Sequence, residues 1–146
     1  MGVMHPRWQD RRRAGLGWAL VLTVSIAGCA ALGSGEEEDA DRVARGEELY
    51  GAYCIDCHGG ATGGDVADIP PPHNAQGHTW HHGDCELVEW TLEGTPPRPL
   101  PPDTPPMPAF GDELDEADVR AILAYIKTWW TPEQRQHQER VTEQVC

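Results

Sequence analysis

Two thiols and an imidazole stand within five residues of one another in Cys54-Ile55-Asp56-Cys57-His58. Their order and spacing define a chemistry. Cysteines three apart on a helical turn can reach two vinyl groups on neighbouring edges of a porphyrin and bond to them as thioethers. The histidine that follows then lies under the iron and offers it a ring nitrogen, which is the pattern of c-type haem attachment. Its other ring nitrogen needs an acceptor to fix tautomer and ring plane; the carbonyls of Pro70 to Pro72 are candidates. Two other chemistries use such a pair. A redox dithiol is disfavoured because no strand-then-helix unit flanks it. A zinc site would recruit His81, His82 and Cys85 to complete a tetrahedral set, but the export signal and the second iron ligand argue against it.

That second ligand is expected to be Met107. It is the only methionine beyond the N-terminal leader, in Pro106-Met107-Pro108-Ala109-Phe110. Methionine usually fills gaps in cores; in a rigid proline strap it is better placed to carry a thioether to the open face of the iron. His/Met ligation raises the potential relative to two nitrogen ligands.

Four more histidines, His73, His78, His81 and His82, crowd the segment after the motif. They read as capping groups, propionate partners and exposed loop residues. The alternatives are a copper site at His81 and His82, or a histidine replacing Met107. Trp80 and Trp90 are expected to wall the haem pocket, with an indole N–H available to a buried propionate.

The elements that must position these groups follow from pattern. Asp41 is expected to cap a helix to about Tyr53, with Val43, Gly46, Leu49/Tyr50 and Tyr53 on one face. A Gly/Pro-rich loop follows from Gly59 to about His78. Asp84 reads as the N-cap of a short helix closed by Gly94. Thr95 to Pro108 holds eight of the thirteen prolines and predicts a stiff extended strap. Asp115 caps the strongest helix, whose apolar stripe is Val119, Ile122, Leu123, Ile126 and Trp130. Thr131-Pro132 ends it and starts a last helix. The fold class is all-α, with a small core that a large buried ligand would complete.

The N-terminus reads as a leader. Arg7 and Arg11 to Arg13 precede an uncharged run from Ala14 to Ala27, too short for a comfortable membrane span of about 20 residues. Ile26-Ala27-Gly28-Cys29 resembles a bacterial lipobox, with Cys29 acylated and becoming the new N-terminus; an ordinary signal peptide cut near Ala30 is the alternative. Two or more acyl chains anchor a protein stably. The Arg triplet would suit the twin-arginine route, but a chain that receives haem after export travels unfolded. The expected divisions are 1–28 signal peptide, 29–40 flexible acidic tether, 41–131 haem domain and 132–146 C-terminal extension.

Of the five cysteines, Cys85 and Cys146 remain after lipid and haem are assigned, and two leftover thiols are natural partners in an oxidising compartment. The formal charge is −13, and cleavage would remove four arginines against one aspartate, leaving a more acidic chain still. Nucleic acid is excluded as a partner. A basic docking face on a redox partner would be steered in, with strong salt dependence.

Gly46, Tyr50 and Cys54 at successive spacings of four, Ile122 and Tyr125 on the last strong helix, and Met107-Pro108-Ala109-Phe110 before a capped acidic helix together resemble the class I c-type cytochromes over about Asp41 to Trp130. The stretch from Pro71 to His82 also resembles a subgroup of bacterial cytochromes. The resemblance implies N- and C-terminal helices that cross near Gly46 around one covalently bound haem c with an exposed edge. With both iron positions filled by His58 and Met107, a one-electron carrier rather than an enzyme is expected, and the leader with Cys29 places it on the periplasmic side of a membrane. A haem enzyme or gas sensor with a displaceable Met107, or a copper-handling protein, stands as the alternative. The very Pro-rich approach to Met107 departs from the family pattern.

Overall fold

A computed structural model describes residues 1–2, 27–63, 70–94 and 106–146, with backbone alone over 27–34. Among the described residues five helices follow in order: α1 Ala27–Tyr53, α2 Ile55–His58, α3 Asp84–Glu93, α4 Glu116–Lys127 and α5 Pro132–Val145, with a 3-10 turn at Thr79–His81 before α3. No strand occurs among the described residues, and one bridge joins Gly60 to Gly63. The all-α expectation holds.

The first helix does not start at Asp41. It runs unbroken from Ala27, so the segment 29–40 expected as a flexible tether is helical in its described backbone. Alanine and glutamate are strong helix formers, and Asp39 pairs with Arg42 one turn on, across the expected boundary. Residues 35–42 are exposed, so local propensity rather than packing carries this part. Residues 3–26 of the expected leader lie outside the described residues, as do residues 95–105 of the expected strap.

The core forms where α1 crosses α4. Leu49 and Tyr50 of α1 pack with Val119, Ile122, Leu123 and Ile126 of α4, and Trp130 closes the end. The crossing is close because Gly46 has no side chain: a Cβ there would collide with the Ala121 carbonyl and sit 3.0 Å from Tyr125 Cβ. Tyr125 is therefore at the crossing as expected, with Ala121 rather than Ile122 supplying the backbone contact. Tyr53, expected on the buried face, is instead 37% exposed and edge-on to Phe110. Arg45 pairs with Asp118 at 3.0 Å across the two helices.

Asp115 caps α4 by accepting from Asp118 N at 2.9 Å. Thr131 and Gln134 cap α5 reciprocally, with Pro132 in the first turn. At α3 the cap is Gly83, not Asp84. The Gly83 N–H donates to Glu86 at 3.0 Å, while the Asp84 carboxylate is taken by Lys127 at 2.7 Å. A long-range cation thus outcompetes the local capping role. Gly94 closes α3 at φ 92°, the left-handed region glycine tolerates. The α5 helix packs on the 3-10 turn and the start of α3, and Cys85 and Cys146 are joined in a disulfide.

Candidate haem site

The cysteine-histidine motif continues α1 as one further helical turn. His58 N donates to Cys54 O at 2.9 Å and Cys57 N to the same oxygen at 3.2 Å, so both thiols project from one turn. Tyr50 ties the turn down from below, its hydroxyl donating to Gly59 O at 2.7 Å. Cys54 is buried in the core cluster and Cys57 is exposed; neither is in a disulfide, although Cys85 and Cys146 are. Burial pushes the Cys54 thiol up to about 12, with Cys57 adding to the shift, so the group stays a neutral thiol.

His58 is 7% exposed. Its Nδ1 lies 2.8 Å from Pro71 O, and since a carbonyl only accepts, Nδ1 carries the proton and Nε2 keeps its lone pair. Burial lowers the His58 pKa, partly countered by Pro71. A neutral imidazole with a fixed tautomer is the state an iron ligand needs. Among the three proline carbonyls suggested by sequence, the geometry selects Pro71.

The loop histidines sort into different surroundings. His73 turns inward, its ring stacked on His58 with centroids 4.1 Å apart, and Nδ1 2.8 Å from Thr79 Oγ1. Desolvation lowers its pKa to about 3, with His58 and His78 adding to the shift. His81 lies outward on Trp80, ring centroids 3.6 Å apart, and 5.4 Å from His137 of α5. His78 and His82 meet edge to face at 5.8 Å, and His82 meets Trp90 at 4.7 Å. Among the described residues no group of three or more His, Cys, Asp or Glu converges as a metal set. The zinc set is not assembled, because Cys85 is spent on Cys146.

Trp80 and Trp90 are partly buried and packed against the core cluster. The Trp80 N–H, considered for a propionate, donates to Gly77 O at 2.8 Å. Met107 is partly buried at the end of the strap. The strap's exit is pinned to α3: Phe110 N donates to Thr91 O and Gly111 N to Leu92 O, each at 3.0 Å. Gly94 allows the Met107–Ala109 backbone to pass close by, since a Cβ there would lie 3.1 Å from Met107 O. Trp130, Gln134 and Gln138, which donate to loop carbonyls, were not flagged by sequence as site residues; the i, i+4 spacing of the two glutamines on α5 was the only available signal.

A family model for cytochrome c matches residues 43–130. The chain belongs to the cytochrome c family. Covalently bound haem c and electron transfer come with that membership, and the free thiols and oriented imidazole on one turn fit such a group. The chain is 30% identical over 98 residues to the cbb3-type cytochrome c oxidase subunit CcoP of Azospirillum sp. (strain B510), a match covering 64% of this chain and 30% of that protein. No solved structure matches the chain. Among the described residues no helix is long and apolar enough to cross a membrane.

Proposed function

We propose that this cytochrome is a one-electron carrier with a single haem bonded to Cys54 and Cys57 and ligated by His58 and Met107. The observation that carries the reading is the neutral His58 ring, oriented by Pro71 O at 2.8 Å on the turn that bears both free thiols. Haem supplies a one-electron iron couple when bound. The chain holds it through two thioethers, presents Nε2 of His58, and keeps that ligand away from water by burial. With Met107 as a second protein ligand the iron would have no position free for a substrate, so the chain would pass electrons rather than perform catalysis.

The setting proposed is the periplasmic side of a membrane, with the chain tethered through acylated Cys29 and acting beside membrane redox proteins. The relative's name as an oxidase subunit supports a respiratory setting. The acidic surface suits a partner with a basic face.

The test is the spectrum of the purified holoprotein with and without Met107→Ala. Wild type is expected to be low-spin, to show the weak red band of sulfur-ligated ferric iron, and to bind carbon monoxide slowly when reduced. Met107→Ala is expected to lose the band and bind carbon monoxide at once. A wild type that is already high-spin overturns the carrier reading in favour of a haem enzyme or gas sensor. Mass spectrometry reports haem and acyl chains together.

A further inference from the structure

The family match ends at residue 130, and from that residue on through α5 the chain grips the loop beside His58. Trp130 Nε1 donates to His73 O at 2.8 Å, Gln134 Nε2 to Ala75 O at 2.9 Å, and Gln138 Nε2 to His82 O at 3.2 Å. Gln138 is 1% exposed, and its Nε2 also lies 2.6 Å from Asp84 Oδ1. Three side chains at successive fours thus fasten three carbonyls of one loop. The Cys85–Cys146 disulfide then fixes the far end of α5 to α3.

The fastened loop is the one that carries the acceptor for His58. Pro71 stands two residues before His73, joined by Pro72, whose ring restricts the backbone and transmits placement. Gly77 backs onto the Pro72 carbonyl so closely that a Cβ would collide with it. The His73 ring lies flat on His58 while its backbone oxygen is held by Trp130.

We propose that the segment from Trp130 to Cys146 is a clamp that orients the His58 imidazole through the Pro71–His82 loop, with Trp130, Gln134 and Gln138 as positioning residues. The inference rests on His58 being the iron ligand. When the clamp loosens, the bond from Nδ1–H to Pro71 O opens more often. An imidazole that loses this acceptor is a weaker donor, so the ferric state is less stabilised and the potential rises.

The test uses holoprotein with Trp130→Phe, Gln134→Glu or Cys146→Ser. Trp130→Phe keeps an aromatic ring and removes the donor; Gln134→Glu keeps an oxygen for Thr131 N–H and removes the donor to Ala75. The readouts are exchange of the His58 Nδ1 proton with D2O by NMR, and the midpoint potential. Exchange roughly tenfold faster and a raised potential in each variant are expected, as local opening becomes easier. Mild reduction of the disulfide in ferrous wild type is expected to accelerate exchange without any substitution, which keeps the proposal falsifiable where a variant does not fold. Lower melting temperatures with unchanged exchange and potential would overturn it, making α5 a stabilising cap only. A wild type whose His58 resonances show no influence of iron would overturn the ligand assignment itself, a different and recognisable result.

Discussion

Gly46 lies against the backbone carbonyl of Ala121, so at this point of the crossing α1 and α4 approach each other through main chain. The obstructing atoms belong to a helix backbone and cannot rotate away. Gly46→Ala is expected to push α4 off α1 and cost about 1–3 kcal/mol or more, as overpacking does, despite alanine's better helix propensity. Thermal unfolding of the holoprotein checks this; an unchanged or raised melting temperature refutes the close crossing.

The disulfide between Cys85 and Cys146 closes a loop with a sequence separation of 61. In the chain-entropy account its removal by Cys146→Ser costs about 4 kcal/mol. Guanidinium unfolding of wild type and variant measures the difference. A change below about 1 kcal/mol would mean that the unfolded chain was already restrained there.

Gln138 is buried and makes its contacts with His82 O, Asp84 Oδ1 and Thr142 Oγ1. Gln138→Leu fills similar volume but leaves the part-buried His82 carbonyl and Asp84 Oδ1 without this donor, at a cost of about 1–3 kcal/mol. A lower urea midpoint with unchanged slope is the expected signature.

His81 is held below the usual imidazole range, first by desolvation and then by His137 and His78. Its folded-state pKa is depressed below 6.5, so the unfolded chain takes up the proton more readily. The associated stability is present above the unfolded value and is lost as pH falls below it. Melting temperature is expected to decline as pH drops from about 7 to about 5, and His137→Gln is expected to flatten that decline by removing one of the repelling charges. Parallel profiles for wild type and His137→Gln would refute the coupling.

Several parts of this protein were legible without coordinates because the information was local. The spacing of Cys54, Cys57 and His58 contains its own geometry, since one helical turn projects all three. The α4 stripe and its Asp115 cap are set by helical period and a side chain three residues from its target. Cysteine arithmetic named Cys85 and Cys146 as partners, and the disulfide joins them.

What tertiary structure decided were competitions among groups that look equal in sequence. Any of three proline carbonyls offered itself to His58, and only the path of the chain selects Pro71. Asp84 is a sound cap by type, but Lys127 from another helix takes its carboxylate and Gly83 becomes the cap. Four loop histidines of one kind separate into a ring stacked on His58, an edge-to-face pair of which His82 meets Trp90, and an outward ring facing α5. Hydrogen bonds from Trp130, Gln134 and Gln138 end on backbone oxygens, which every residue possesses, so no residue type marks the acceptor. Local spacing therefore carries the chemistry of attachment, while long-range pairing decides how the imidazole is held.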